Sequence, residues 1–288
     1  MDNAGQTPPT FTVGDALELC LRRLRSAGFD SAEAEAHALI EAATGLTRSE
    51  QLLRRERALS DEERANLAAM LQRRLLHEPL QHITGTAPFY GLELAVSSAV
   101  LVPRPETERL VELVLAELPP AAPTVLDVGT GSGAIALALK AERPDLEVWA
   151  SDVSAAALPV AIENARLLDL EVRFRRSDLL ADPEIAEVAA RADAVVANLP
   201  YLPTSDAGSL PPEVEHDPPG ALFAGTDGLE VAERLRAQAG RIMLPGAFLA
   251  LELDERNAAA FAGRLTGWKS VRLESDLLGR QRFVLARR

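Results

Sequence analysis

The segment Asn198-Leu199-Pro200-Tyr201 ends an apolar run, Val195 to Ala197, that reads as a buried strand. A carboxamide, a proline and a tyrosine add nothing to the pairing of a central strand, so the motif asks for a chemical explanation. A planar NH₂ group, on an amide or an aromatic ring, is a poor nucleophile because its lone pair is delocalised. Holding both of its N–H bonds turns the lone pair towards an incoming carbon. That takes two acceptors, and the Asn198 side-chain oxygen and the Leu199 backbone carbonyl supply them. Pro200 biases Leu199 to extended geometry and so aims its carbonyl, while Tyr201 offers a flat face. Asn198, Pro200 and Tyr201 are therefore the candidate catalytic residues, and Asn198, Leu199, Pro200 and Tyr201 the candidate substrate-binding set.

A second motif, "VLDVGTGSGAIALAL", is a strand running through a glycine-rich turn into a helix. Without Cβ atoms, Gly129, Gly131 and Gly133 let the backbone turn tightly and approach a ligand. Dinucleotide folds space such glycines G-x-G-x-x-G. Here the third comes one residue early, which with Asp127 just before the turn favours S-adenosylmethionine over NAD. The next strand ends at Asp152, where a carboxylate can take both ribose hydroxyls; the competing use, capping the following helix, suits Ser154 better. Asp178 ends the third strand, where adenine's amino group needs an acceptor, and Leu179 can pack on the adenine edge. The candidate cofactor-binding residues are Gly129, Thr130, Gly131, Ser132, Gly133, Asp152, Asp178, Leu179 and Asn198.

Around these motifs the chain has two textures. From Thr12 to about Gly85 the pattern is helical. Thr12 with Asp15 and Ser60 with Glu63 have capping-box spacing, Gly28 and Gly45 close helices, and Leu67, Met70, Leu71 and Leu75 share a face. This predicts four or five helices. "FYGLELAVSSAVLVPRP" then reads as a hairpin about Ser97-Ser98, followed by a helix after Pro105. Beyond Pro120 strands and helices alternate, which predicts an α/β unit with about seven mostly parallel strands and an antiparallel pair at the end. The corresponding domains are 1–85, helical; 86–104, a hairpin linker; and 105–288, the α/β domain. The net charge of −13 argues against a grip on nucleic acid phosphates. No apolar run is long enough to span a bilayer, and the N-terminus lacks the pattern of a signal peptide. The single cysteine, Cys20, fits a reducing cytoplasm and lies at core spacing among leucines. Four scattered histidines give no metal site.

The chain resembles the HemK/PrmC family, the glutamine-N5 methyltransferases of peptide-chain release factors. The likeness rests on "EPLQHITGTAPFYGLEL", "VLVPRPETERLVEL", "DVGTGSGAIALAL", "SDVS", "ANLPY", "GTDGLEVAERL" and "DLLGRQRFV", in the family's order. It implies an N-terminal helical domain for substrate recognition and a class I S-adenosylmethionine-dependent methyltransferase domain with a Rossmann-like sheet. It also implies methyl transfer to the glutamine of the Gly-Gly-Gln loop of class-1 release factors, with no direct role for nucleic acid or membrane. By the same likeness Gly129 to Gly133 cradle the methionine part, Asp152 binds the ribose, Leu179 lies at the adenine, and Asn198 to Tyr201 hold the glutamine. Two departures stand out. Leu199 replaces the family's usual proline, giving the Asn-Leu-Pro-Tyr form of ribosomal-RNA adenine dimethylases, and "LELDERN" replaces a glycine-containing segment. Domain order, charge and Arg104, Glu106 and Glu108 of the "VLVPRPETE" loop favour the release-factor enzymes over those dimethylases and over ribosomal-protein glutamine methyltransferases. A scaffold that merely keeps the fold is the non-enzymatic alternative; the intact glycine and Asn-Leu-Pro-Tyr motifs speak against it.

Overall fold

The structure is a computed structural model and describes residues 11–288. The signal-peptide expectation concerns residues 1–10 and lies outside the described residues. The chain forms two compact units, the first ending at Gly85 and the second running from Thr86 to Arg288. No described helix is long and apolar enough to cross a membrane.

The first unit contains helices α1 (Val13–Ser26), α2 (Ala32–Thr44), α3 (Arg48–Leu53), α4 (Asp61–Leu75) and α5 (Leu80–Thr84). The expected capping boxes start α1 and α4, and a third, Thr47 with Glu50, starts α3. Gly45 closes α2 at φ 70°, a conformation a side chain would penalise. Leu67 and Leu71 of α4 meet Cys20, Leu24, Leu39 and Ile40 in one apolar core, with Met70 and Leu75 at its margin. Burial raises the Cys20 thiol to about 11, so it packs as a small hydrophobe. A buried ion pair ties α4 to α2. Arg74 donates from Nε and Nη2 to the Glu35 carboxylate at 2.5 and 3.1 Å, and its guanidinium lies 4.2 Å from the Phe29 ring centroid.

The second unit opens with an antiparallel hairpin, β1 (Thr86–Phe89) and β2 (Leu92–Ala95). Its turn is at Tyr90-Gly91 and not at Ser97-Ser98, which follow β2. Both turn residues have positive φ, 49° and 75°, the geometry whose twist matches the flanking strands. Gly91 adopts it freely, and Tyr90 is held there as its N–H donates to Glu108 at 2.8 Å. Helix α6 (Thr107–Glu117) follows. Then come β3 (Thr124–Val128), α7 (Ala134–Glu142), β4 (Glu147–Asp152), α8 (Ala157–Leu167), β5 (Arg173–Arg176), α9 (Pro183–Arg191), β6 (Ala194–Asn198), α10 (Glu230–Ile242), β7 (Phe248–Glu252), α11 (Ala258–Arg264), β8 (Ser270–Ser275) and β9 (Gln281–Arg287).

The seven strands lie in the order β5-β4-β3-β6-β7-β9-β8; the first five are parallel, and β9 runs antiparallel to both neighbours. Strand residues alternate between two cores. Leu126, Val128, Val195, Ala197, Leu249 and Leu251 pack with α9, α10 and α11, whereas Val125, Ala194, Val196, Phe248 and Ala250 pack with α6 and α7. Covered on both faces, these strands read as unbroken apolar runs.

The Glu35–Arg74 pair yields a stability prediction. Glu35→Gln keeps the shape but breaks the buried ion pair by removing one of its charges, which costs about 3–5 kcal/mol. Amide hydrogen exchange on the full chain should show α2 and α4 opening far more readily, while β3 and β6 keep their protection. Unchanged exchange in α2 and α4 would show that the pair carries no such weight.

Candidate active site

A cavity of about 410 Å³ opens at the carboxyl ends of β3, β4, β5 and β6, within the second unit. Of the residues singled out for the cofactor, Gly129, Thr130, Gly131, Ser132, Asp152, Asp178, Leu179 and Asn198 line it, and so do Leu199 and Pro200. Gly133 and Tyr201 are not on its wall.

The glycine turn is tied down from below. Asp127, fully buried in β3, accepts the Thr130 hydroxyl at 2.6 Å. Burial lifts this carboxyl to about 7, and the Thr130 bond pulls the other way. The N–H groups of Gly129 and Thr130 donate to the Ser151 carbonyl (2.8 and 2.9 Å), that of Gly131 to Asp152 Oδ2 (2.9 Å), and that of Gly133 to the Thr130 carbonyl (2.8 Å). These four donors are used inside the protein, as are the carbonyls of Thr130, Ser132 and Gly133, which accept from Gly133, Asn164 and Leu137. Gly131 has a φ of 56° and open space where a Cβ would sit. Gly133 serves a different need. It begins α7 at φ 86°, and a Cβ there would meet Leu137 at 3.0 Å and Ala161 at 3.3 Å.

Asp152 is buried, and each of its oxygens takes a backbone N–H: Oδ2 from Gly131, Oδ1 from Ser154 at 2.8 Å. Each oxygen keeps a second lone pair for a ligand hydroxyl. The Ser154 hydroxyl accepts from the N–H of Ala157 (3.2 Å), the start of α8. Asp178 differs from its expected role as a free acceptor. Half exposed, it is paired with Arg234 of α10 at 2.5 Å, and both line the cavity. An exposed pair of this kind is worth at most about 1 kcal/mol, so a ligand amine can compete for it. Leu179 presents its buried side chain to the cavity from a left-handed backbone, φ 55°. The Ser177 hydroxyl holds that strained turn by donating to the Leu179 carbonyl at 2.7 Å.

Asn198 ends β6 opposite Glu252, its register partner at the end of β7. Its Nδ2 donates to the Thr107 hydroxyl at 3.0 Å, which leaves Oδ1 as the amide atom available to the cavity. Leu199 is more than a carrier of a backbone carbonyl. Its side chain is buried and packs on Gly129, whose φ of 76° and missing Cβ both matter, since a Cβ would come 2.8 Å from Leu199 Cδ2. Tyr201, the expected flat face, is half-buried and follows Pro200 of the cavity wall. Its ring lies 5.9 Å from the Arg282 guanidinium, which donates to its hydroxyl at 3.3 Å. Burial, with Glu252 as the nearest negative charge, keeps that phenol protonated well above its usual range. The Tyr201 carbonyl accepts from Asn257 Nδ2 at 3.1 Å and passes so close to Gly228 that a Cβ there would lie 2.2 Å from it.

The "VLVPRPETE" loop contributes more than its charges. Arg104 pairs with Asp217 at 2.6 Å, and Asp217 is fully buried. This anchors the segment after β6, whose Pro218, Gly220 and Ala221 form part of the cavity wall. Glu106 lies 3.5 Å from Arg280, and Glu108 holds the hairpin turn. Thr107, Glu252, Arg282, Asp217 and Asn257 were not singled out by sequence. Thr107 sat in a motif read for its charged members, and Glu252 and Asn257 sat in "LELDERN", noticed only as a departure.

Residues 15–85 match the PrmC N-terminal domain, and residues 107–208 match the methyltransferase small domain. A release factor glutamine methyltransferase of Deinococcus radiodurans is 45% identical over 277 residues, 95% of this chain and 98% of the relative. One from Moorella thermoacetica is 39% identical over 284 residues, 96% and 99% of the two chains. Among solved structures, the catalytic domain of hMettl16 in complex with an RNA hairpin superposes with a TM-score of 0.56 at 18% identity, covering 77% of this chain and 81% of that one. A Thermus thermophilus 16S rRNA N2 G1207 methyltransferase in complex with AdoMet and guanosine gives 0.51 at 19% identity, covering 70% and 49%. At such identities the structures speak for the fold, a seven-stranded class I methyltransferase sheet, and the near-full-length likeness speaks for the family: the chain belongs to the release factor glutamine methyltransferases.

Proposed function

We propose that this protein methylates the side-chain amide nitrogen of a glutamine in the Gly-Gly-Gln loop of a class-1 release factor, using S-adenosylmethionine. The observation that carries the proposal is the Asn198 carboxamide, whose nitrogen is spent on Thr107 so that its oxygen is the acceptor offered at the cavity. An NH₂ substrate needs that polarity. The names of the relatives, release factor glutamine methyltransferases, supply the substrate class.

The turn at Gly129–Gly133 fits this cofactor better than a dinucleotide. A pyrophosphate seeks free backbone N–H donors, and four of the turn's are already engaged. An α-ammonium seeks acceptors, which the turn's carbonyls are. Asp152 would take the ribose hydroxyls on its remaining lone pairs, Leu179 would pack on the adenine, and Asp178 would release Arg234 to accept from the adenine amine. When bound, S-adenosylmethionine supplies an electrophilic methyl group; its transfer to the amide yields N-methylglutamine, S-adenosylhomocysteine and a proton. For their part, Asn198 Oδ1 and the Leu199 carbonyl would each accept one N–H of the glutamine amide and so turn its lone pair into line. Tyr201 would act by holding Arg282 in place behind Asn198 and not as a stacking face.

Two outcomes test this reading. Asp152→Ala should weaken S-adenosylmethionine binding by roughly 1–3 kcal/mol in calorimetry, the range for charge-assisted bonds; unchanged affinity would remove Asp152 from the cofactor site. Asn198→Ala should bind cofactor almost normally yet lose about 10²–10³ in turnover on a release factor, as expected for one pre-positioned polar group in a dry site. Labelled cofactor with a release factor and its Gln→Ala loop variant supplies the assay. Label on the variant would take the target off that glutamine, and label on ribosomal RNA alone would favour the adenine dimethylase instead.

A further inference from the structure

We infer that Glu252, acting through Thr107, is a positioning residue that fixes which end of the Asn198 carboxamide faces the methyl acceptor. The inference rests on the function proposed above. Asn198 and Glu252 are register partners at the ends of adjacent parallel strands, and Thr107, at the start of α6, touches the first and lies against the second. A threonine hydroxyl carries one proton. Against an ionised carboxylate that proton has a single use, donation to Glu252, and the oxygen is then left to accept Asn198 Nδ2, the contact seen at 3.0 Å. Nδ2 towards Thr107 forces Oδ1 towards the cavity. The opposite flip would present an N–H₂ group to a substrate N–H₂ group and bind nothing.

Glu252 suits this task. Its carboxylate is fully buried, Arg282 Nη2 approaches Oε1 only at 3.4 Å, and Oε2 has no hydrogen-bond donor on it. Thr107 is the group able to supply one. The charged groups acting on the carboxylate are Arg282 on β9 and Glu106 beside Thr107; Tyr201 past β6 feels its charge in turn, and Arg104 and Asp254, past β7, act on that tyrosine. Burial outweighs Arg282 and lifts the Glu252 carboxyl to about 7. Once protonated, the acid can itself donate to Thr107, whose proton is then free to bond Asn198 Oδ1, and the amide is no longer locked. The ionised form, present above the titration, is the competent one, so activity falls as pH drops through about 7.

The test compares the full-length wild type with Thr107→Val, Thr107→Ser and Glu252→Gln. It reads kcat and KM for the release factor from pH 5.5 to 9, cofactor affinity by calorimetry, and the Asn198 side-chain amide by NMR on asparagine-labelled protein. Thr107→Val should lose about 10²-fold in kcat, the scale of a misoriented group, with KM and cofactor affinity within about twofold, and Thr107→Ser should recover most of it. Wild-type kcat should fall roughly tenfold per pH unit below the Glu252 titration, as for any single essential ionisation, whereas Glu252→Gln should lack that limb. The Asn198 amide signals should titrate in step in the wild type and not in Glu252→Gln. A limb that persists in Glu252→Gln, a serine variant as impaired as valine, or an Asn198 signal indifferent to both changes would overturn the inference. A wild type that leaves release factors unmethylated would sink the proposed function alone, since the NMR titration still reads the relay.

Discussion

The site exists because the strand order reverses between β3 and β6. From β3 the chain moves outward to β4 and β5, then returns to lay β6 on the other side of β3. Parallel strands need crossovers, and right-handed crossovers in the two directions put helices on opposite faces of the sheet. No connection can then cover the carboxyl ends of the two central strands, and a crevice is left between them. The glycine turn leaves β3 on one side of that crevice, and Asn198 leaves β6 on the other. Every other feature of the site is an adjustment of these two segments.

Those adjustments follow one pattern twice. Beneath the glycine turn, Asp127 is fully buried and binds the Thr130 hydroxyl; beneath Asn198, Glu252 is fully buried beside the Thr107 hydroxyl. Each carboxyl is lifted to about 7, chiefly by burial. Neither arrangement is a cheap way to stabilise a fold, because a buried carboxylate gives up its hydration and gets few hydrogen bonds in return. What a charged acceptor behind a threonine does well is dictate direction. It fixes where the hydroxyl proton goes, and so what the hydroxyl can do for the next group. Beside Thr107, that next group is the amide that would meet the substrate.

Much of this was legible in the chain. Capping boxes, apolar runs and glycine spacing gave the helical unit, the sheet and its ligand-binding end, because those signals are local. The misplaced hairpin turn is instructive: Ser97-Ser98 does open a turn, closed by the Val100 N–H on the Ser97 carbonyl, but the strands pair across Tyr90-Gly91, held by Glu108 eighteen residues away. The same limit hid Thr107 and Glu252. Neither residue type is notable where it stands, and their meaning arises only when sheet register sets Glu252 against Asn198 and α6 brings the Thr107 hydroxyl to the Asn198 amide. The partners of Asp178 and Tyr201 were out of reach of the sequence for a related reason. Their strand-end positions were right, but the partners that occupy them, Arg234 and Arg282, come from distant elements.

Leu199 shows how tightly the two halves of the crevice are joined. A proline there would stiffen the backbone and leave Gly129 facing little. The leucine places a buried methyl group against the glycine turn, at a distance no residue with a Cβ would tolerate. The clamp proposed for the acceptor and the cradle proposed for the cofactor thus meet in one van der Waals contact, and neither can shift along the strands without the other. Stiffness that a ring would supply within one residue is supplied instead by packing between two motifs. In-line transfer tolerates little error in the separation of donor and acceptor, and under the proposed function that separation would be set by a leucine side chain on a glycine.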